Sequence, residues 1–203
     1  MKLYYAPLSG HSHRARLMLS LLGVDHELIA VNLPQREHKS AEFLNLNPFG
    51  QIPVLVDGAL TISDSTAILV YLAKKFGRTD WLPDTPEGAA RVQRWLSVAS
   101  GEVAFGPAAA RMITLFADTR NLVEATQRAH RLLGIVDSEL EGTQWLVGAH
   151  PTIADVALYS YIARANEGYV DLSPYKNVDA WLRRVESLPG FVDFVKSPIP
   201  AAA

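Results

Sequence analysis

The sequence predicts an α/β domain over residues 1–76 followed by an all-helical domain over residues 87–203. Two observations support this division. Short β-type runs alternate with helical patterns in the first segment, and no strand signal follows it. The intervening residues 77–86 contain a glycine, two prolines and two aspartates, a composition that is typical of a linker.

A parallel β-α-β unit is predicted at the start of the chain. Residues 2–5 form a short β-type run that ends before Pro7. Ser12 is the expected N-cap of a helix over residues 13–22, and a second strand follows over residues 27–31. Two parallel strands joined through a helix take a right-handed crossover.

An antiparallel β-β-α unit completes the first domain, after a short helix. Asp57-Gly58 separates the apolar runs 54–56 and 59–62, and such a dipeptide between apolar runs is a strong signal of a β-hairpin. Ser63 is the expected N-cap of a helix that reaches Lys75. The result is a mixed four-stranded sheet with helices on both faces, which is the thioredoxin-like plan.

The second domain is predicted to consist of helices alone. A long helical pattern over residues 87–115 is interrupted at Gly101, Gly106 and Pro107, because glycine and proline destabilise a helix interior. Further helical segments are predicted over residues 118–141, 152–167 and 177–187, with a short last piece near Phe191 and a frayed tail over residues 198–203.

Thr152 and Asp155 form a capping-box pattern at the start of one of these helices. In such a box, a threonine and an acid three residues later satisfy the first N–H groups of the helix. The residues that follow are apolar on every side, so this helix is expected in the centre of the second domain. The spacing predicts a structural role for Asp155 rather than a catalytic one.

Composition excludes several classes of function. The chain has 203 residues and a formal charge of −2, which disfavours an electrostatic binder of nucleic acid. It has no cysteine, which excludes disulfides, thiolate metal sites and a cysteine nucleophile. His11 and His13 do not have the spacing of the H-E-x-x-H zinc motif, and there is no GxGxxG motif or P-loop. Neither a metal nor a nucleotide is therefore expected.

A membrane segment or leader is not expected either. The nearest candidate, residues 17–24, is short and follows Arg14 and Arg16. A membrane span needs about 20 apolar residues. The sequence therefore predicts a cytoplasmic protein.

Asp64 and Ser65 lie at the predicted N-terminus of the helix after the hairpin. Free backbone N–H groups and the helix dipole favour a carboxylate there, whereas Asp64 favours an ammonium group. A ligand with both groups on one carbon would fit this pair. The alternative is that Ser63 and Asp64 only cap the helix, and the local pattern does not decide between them.

Three further positions suggest contacts with an extended anionic ligand. A cis bond before Pro53 would turn the N–H and C=O of Ile52 outward for pairing with an extended peptide, although most X–Pro bonds are trans. His38 and Lys39 would hold a second carboxylate, or would be a solvated surface pair. Ser9 precedes a helix N-terminus and would donate a hydrogen bond to an anion, or would be an ordinary turn serine. A serine hydrolase is not indicated, because no GxSxG elbow is present.

In this order and spacing, these pieces resemble the cytosolic glutathione S-transferases over nearly the whole chain. The resemblance rests on the Ser9 loop, His38-Lys39, the run Asn47-Pro48-Phe49-Gly50-Gln51-Ile52-Pro53, Asp64-Ser65 and the Thr152–Asp155 box. The pattern is similar to the serine-type branches phi, theta and zeta, in a member of bacterial type. The run Ser9-Gly10-His11 departs from the Ser-Ser-Cys of the zeta branch, and the lack of cysteine argues against the omega and beta types.

The resemblance implies glutathione as a co-substrate, with no metal. From the γ-glutamyl end to the glycyl end, the residues that it implies are Asp64, Ser65, Ile52, Gln51, His38 and Lys39, with Pro53 as structural support. The thiol would fall beside Ser9, which would favour the thiolate. Tyr4 and Tyr5 stand where tyrosine-type members carry their tyrosine, and they remain alternatives to Ser9.

The implied activity is attack of the thiolate on a small hydrophobic electrophile. Phe105, Arg111 and Tyr161 are candidates for the electrophile pocket from their positions in the second domain, although packing or surface charge is the simpler explanation of each. A glutathione-dependent disulfide or peroxide reductase and a non-catalytic binding protein of this fold are the alternative functions. A homodimer is expected from the family, with Phe49 either inserted into the partner or packed under its own loop.

Overall fold

A computed structural model describes residues 1–198 of the protein. The first domain contains a four-stranded sheet in the order β2-β1-β3-β4. Its strands are β1 (Lys2–Tyr5), β2 (Glu27–Ala30), β3 (Val54–Asp57) and β4 (Leu60–Ser63). Strand β1 pairs in parallel with β2 and antiparallel with β3, which pairs antiparallel with β4. The predicted mixed sheet is confirmed.

Helices cover both faces of this sheet. They are α1 (Gly10–Leu21), α2 (Ala41–Leu46) and α3 (Ser65–Lys75), with a short 3₁₀ turn at Glu37–Lys39. Buried residues of α1 and α3 join the main hydrophobic core, whereas α2 contributes Phe43 to a smaller core on the other face with Val31 and Val54. The two cores hold the ends of α1, α2 and α3 in fixed positions around the sheet.

Two predicted helix caps are wrong. The N-cap of α1 is Ser9, whose hydroxyl accepts a hydrogen bond from the Ser12 N–H, and Ser12 lies inside the helix. The N-cap of α3 is Asp64, because Ser63 is the last residue of β4 and pairs with Val54. In both places two residues capable of capping are close in sequence, and the one that does not cap is engaged elsewhere: the Ser12 hydroxyl accepts from the Ala6 N–H, and Ser63 pairs with Val54.

The second domain is entirely helical within the described residues. Its helices are α4 (Pro86–Ser100), α5 (Glu102–Phe105), α6 (Pro107–Phe116), α7 (Leu122–Glu139), α8 (Ile153–Ile162) and α9 (Lys176–Glu186), with a 3₁₀ turn at Ala165–Gly168. The predicted breaks at Gly101 and Gly106 are confirmed. No helix forms near Phe191, where the chain runs without regular structure, and the predicted tail beyond Pro198 lies outside the described residues.

Helix α8 is the centre of the second domain, because every one of its residues is buried. The predicted capping box is present at its start. The Asp155 carboxylate accepts hydrogen bonds from the Thr152 N–H at 2.8 Å, the Leu146 N–H at 3.1 Å and the Trp181 Nε1–H at 2.9 Å. Burial raises the pKa of Asp155, and these hydrogen bonds oppose the rise. Asp155 therefore anchors the core of the domain.

Over residues 1–198, none of the helices combines the length and the apolar composition that crossing a membrane requires.

Candidate functional site

A groove of about 540 Å³ runs along the first domain, within the usual size range of ligand sites. It brings together the sequence-predicted ligand residues from three separate loops. The residues that line it are His11, Leu33, His38, Lys39, Asn47, Phe49, Gly50, Gln51, Ile52, Pro53, Ser63, Asp64 and Ser65.

Asp64 forms one end of the groove in an unusual backbone conformation. Its φ of +75° lies in a region that residues other than glycine rarely adopt. One carboxylate oxygen, Oδ1, caps α3 by accepting from the N–H groups of Thr66 at 2.8 Å and Ala67 at 2.9 Å. Burial alone would raise the pKa of Asp64, but the hydrogen bond from the Thr66 hydroxyl, together with those from the two N–H groups, outweighs burial and lowers it. Asp64 is therefore an anion at neutral pH and suits a ligand ammonium group.

Ser65 is buried next to Asp64, at the first turn of α3. Its hydroxyl lies 3.2 Å from His11 Nδ1 and 3.4 Å from Arg14 Nη1. A helix N-terminus with a guanidinium behind it attracts a carboxylate. Asp64 and Ser65 thus place sites for a positive and a negative group side by side.

The middle of the groove is formed by Ile52 and Pro53, which are joined by a cis peptide bond. The N–H and C=O groups of Ile52 make no hydrogen bond within residues 1–198, and its side chain is half-buried. An extended peptide laid along the groove can pair with this free backbone. The turn before it is fixed by Asn47, whose side chain binds the Gln51 C=O at 2.8 Å and the Phe49 N–H at 3.1 Å.

The far end of the groove is basic. Lys39 Nζ donates to the carbonyl oxygens of Gly50 at 2.8 Å and Phe49 at 3.1 Å, so the lysine also holds the turn together. His38 has a buried Nδ1 that lacks a hydrogen-bond partner. Burial, followed by the nearby charges of Lys39 and Arg36, lowers the pKa of His38. A carboxylate at this end would meet the positive charge of Lys39.

Ser9 lies just outside the groove, as the N-cap of α1. Its Oγ accepts from the Ser12 N–H at 3.2 Å, which leaves its own O–H free to donate. It is not among the residues that line the groove, which extends to His11 on the first turn of the same helix. A group that reached out of the groove past His11 would approach this hydroxyl.

The two tyrosines of β1 pack on opposite faces of the sheet. Tyr4 contacts Phe43 edge-on, with ring centres 6.2 Å apart, and Tyr5 packs against the main core. Neither lines the groove. Both tyrosines are therefore held by packing on the sheet.

The three residues expected in an electrophile pocket do not form a common wall. Phe105 is exposed and lines a different cavity, between α6 and α7. Arg111 is buried, where it pairs with Glu167 at 2.6 Å and donates to the Leu8 C=O at 2.8 Å, just before Ser9. Tyr161 is buried against α1, where a Cβ on Gly10 would lie 2.7 Å from its ring.

Sequence reasoning missed His11 as a groove residue. It considered the spacing of His11 and His13 only as a metal motif, although His11 is brought against Ser65 by the packing of α1 on α3. The signal that could have found it is its position on the first turn of a helix after a strand, where a side chain faces the edge of the sheet that binds ligands. In residues 1–198, no group of three His, Asp or Glu side chains is arranged to hold a metal ion.

Known proteins match this chain along its length. Residues 8–75 match the N-terminal domain of glutathione S-transferases and residues 107–184 match their C-terminal domain. Glutathione S-transferase 3 of Zea mays is 33% identical, with 98% of this chain and 96% of that protein covered.

Solved structures agree with these matches. A glutathione S-transferase of Pseudomonas fluorescens superposes with a TM-score of 0.90 at 33% identity, covering 96% of this chain and 98% of that one. A glutathione transferase homologue of Drosophila mojavensis, solved with bound glutathione, has a TM-score of 0.84 at 30% identity, covering 93% of this chain and 88% of that one.

Proposed function

Since this chain belongs to the cytosolic glutathione S-transferase family, we propose that it binds glutathione in the groove and transfers it to small hydrophobic electrophiles. The observation that carries this proposal is the order of chemical groups along the groove. Asp64 and Ser65 suit an ammonium and a carboxylate, Ile52 offers free backbone, and His38 and Lys39 suit a second carboxylate. Glutathione carries these groups in the same order.

The proposed chemistry is stabilisation of the glutathione thiolate. A free thiol has a pKa of about 8.5 and is mostly protonated at neutral pH. A hydrogen bond to a charged acceptor is worth about 1.5–3 kcal/mol, which corresponds to about one to two pKa units. The free O–H of Ser9, at the positive end of α1, is the donor that we assign to this role.

Ser9→Ala tests this assignment. The variant is expected to shift the pH–rate profile of conjugation toward higher pH by about one to two units, because the thiolate loses its donor. Its affinity for glutathione is expected to change much less. The assay follows a chlorodinitrobenzene-type electrophile from pH 6 to pH 9, with Tyr5→Phe as the control. An unshifted profile in Ser9→Ala, or a shifted one in Tyr5→Phe, contradicts the assignment.

Retention on a glutathione resin and parallel assays with a disulfide and a peroxide substrate separate the alternative functions. Turnover of a disulfide or peroxide in preference to the electrophile would indicate a reductase. Absence of both binding and turnover would indicate a binding protein of this fold. A cytoplasmic location is part of the proposal, on the ground of the family.

We also propose that the protein is a homodimer. An apolar face formed by Leu60, Ile62, Val70 and Tyr71 is open on β4 and α3, and Phe49 projects from its turn with 75% of its surface exposed. Insertion of Phe49 into the partner would bury this side chain. Phe49→Ala is expected to shift the sedimentation of the dimer toward the monomer, with the exposed Phe116→Ala as the matched control. A dimer that withstands Phe49→Ala contradicts the insertion.

A further inference from the structure

Arg111 and Glu167 form a buried ion pair in the second domain. Arg111 lies on α6 and Glu167 lies in the 3₁₀ turn after α8, and their side chains are 1% and 3% exposed. A buried ion pair is weak evidence for stability, because taking two charges out of water costs about as much as their attraction returns. The stability of the domain therefore does not by itself account for this pair.

The guanidinium of Arg111 is held in one orientation. Its Nε donates to Glu167 Oε2 at 2.6 Å, and its Nη1 donates to the Leu8 C=O at 2.8 Å. Its Nη2 lies 3.4 Å from the hydroxyl of Ser197, and the centre of the Phe194 ring lies 5.0 Å from the guanidinium carbon. Glu167 is fixed as well, since its Oε1 accepts from the Ser197 N–H at 2.9 Å. The pair is therefore a rigid support.

This support clamps the peptide unit that precedes Ser9. The C=O of that unit belongs to Leu8 and accepts from Arg111, whereas its N–H belongs to Ser9 and donates to the Ala6 C=O at 3.1 Å. Across residues 1–198, no other donor reaches the Leu8 carbonyl. One end of the peptide unit is thus held by the first domain and the other by the second. With both ends held, the peptide plane is fixed, and so is the direction in which the side chain of Ser9 leaves the backbone.

We propose that Arg111 is a positioning residue for Ser9, with Glu167 as its support, so that the second domain sets the direction of the hydroxyl that stabilises the thiolate. This inference rests on the proposed function, since it assumes that Ser9 donates to the thiol of glutathione. Neither Arg111 nor Glu167 lines the groove. Loss of the pair should therefore impair formation of the thiolate and leave the binding of glutathione nearly intact.

The test removes both charges together, in Arg111→Met/Glu167→Met, because a single removal would leave a buried charge unpaired. At pH 7, kcat/KM for a chlorodinitrobenzene-type electrophile is expected to fall about 10- to 100-fold, since a displacement of about 1 Å caused far from the chemistry can cost that much. The pH–rate profile is expected to move toward higher pH, whereas the calorimetric affinity for glutathione changes less than about threefold. Arg131→Met/Glu102→Met, which removes an exposed ion pair between α7 and α5, is the control and should leave all three quantities unchanged.

A positioning role requires that the effect pass through Ser9. When Arg111→Met/Glu167→Met is added to Ser9→Ala, the further loss of kcat/KM is expected to be less than about threefold, because residues that act through one another are not additive. A purely structural role predicts the full additional loss in the Ser9→Ala background. That result, an unshifted pH–rate profile, or a loss of glutathione affinity as large as the loss of turnover overturns the proposal.

Arg111→Lys is a second variant that keeps a cation beside Glu167. A single ammonium nitrogen cannot replace a planar fork whose nitrogens reach acceptors in different directions. The same shift of the pH–rate profile is therefore expected, and a wild-type profile in Arg111→Lys overturns the proposal.

Amide hydrogen exchange provides a measurement that needs no glutathione. The Ser9 N–H is expected to exchange at least about tenfold faster in both variants of Arg111 than in the wild type, while the amides of α8 keep their rates. Unchanged exchange at Ser9 overturns the proposal. If the wild type neither binds nor conjugates glutathione, the proposed function fails, whereas the exchange of the Ser9 N–H still decides whether Arg111 positions this residue.

Discussion

Acidification is predicted to lower the free energy of unfolding through two buried histidines. The substitution His13→Gln is expected to halve this loss. His13 lies in α1, where Nε2 donates to the Val192 C=O at 2.8 Å and Nδ1 accepts from the hydroxyl of Ser160 at 2.8 Å. Burial lowers its pKa from 6.5 to about 4, and the hydrogen bond to Val192 opposes this shift only in part. The folded protein therefore holds this ring neutral.

The direction of the effect follows from proton uptake. Because the pKa is lower in the folded state, the unfolded chain binds more protons between pH 6.5 and pH 4, and stability falls as the pH falls through that window. A pH of 5 is about 1.5 units below the pKa of the histidine in the unfolded chain. At ~1.36 kcal/mol per unit, this corresponds to a loss of about 2 kcal/mol in the free energy of unfolding. His11, with a pKa of about 3, contributes a similar loss.

The assay is urea unfolding at pH 7 and pH 5, followed by circular dichroism. The wild type is expected to lose about 4 kcal/mol from the two histidines between these pH values, and His13→Gln about 2 kcal/mol. The exposed His150 provides the control, and His150→Gln is expected to keep the wild-type loss. An equal loss in the wild type and in His13→Gln would refute the reasoning.

Two further substitutions test the frame of the site. Asp155→Ala is expected to lower the free energy of unfolding by about 3–5 kcal/mol, because it removes a cap and leaves the buried Trp181 Nε1–H and the half-buried Leu146 N–H without an acceptor. A loss below about 1 kcal/mol in urea unfolding contradicts this. Gly50→Ala is expected to weaken glutathione binding measured by calorimetry, because φ is +57° and the new Cβ would lie 2.7 Å from the His38 C=O. Gly77→Ala, with φ of +60° and no atom near its Cβ, should leave this affinity unchanged, and equal effects of the two substitutions count against the argument.

Local signals were enough to predict the architecture. The Asp57-Gly58 turn and the Thr152–Asp155 box each place an element by short-range chemistry, and both are present as predicted. The cap of α1 was predicted wrongly because Ser9 and Ser12 are both competent. The Ser12 hydroxyl accepts a hydrogen bond from the Ala6 N–H at 3.2 Å, so Ser9 is the residue that caps the helix.

The site was predictable only where its residues follow a motif along the chain. His38, Ile52 and Asp64 belong to such runs, and the fold brings them to one groove. His11 and Arg14 belong to the site because they contact Ser65, which is 54 and 51 positions away in sequence, respectively. The close approach of α1 to α3 creates this contact, and no local pattern encodes it.

The contact of Arg111 with the Leu8 carbonyl has a consequence for recombining the two halves of such proteins. The loop before Ser9 is held from the second domain, by a guanidinium that is itself fixed by Glu167. A chimaera that joins this first domain to a foreign helical half without an equivalent arginine would retain its whole groove but not the anchor of that loop. Replacing the second domain should therefore preserve glutathione binding more readily than turnover. A chimaera built to bind needs only the first domain of this protein, whereas one built to catalyse also needs the segment that carries Arg111.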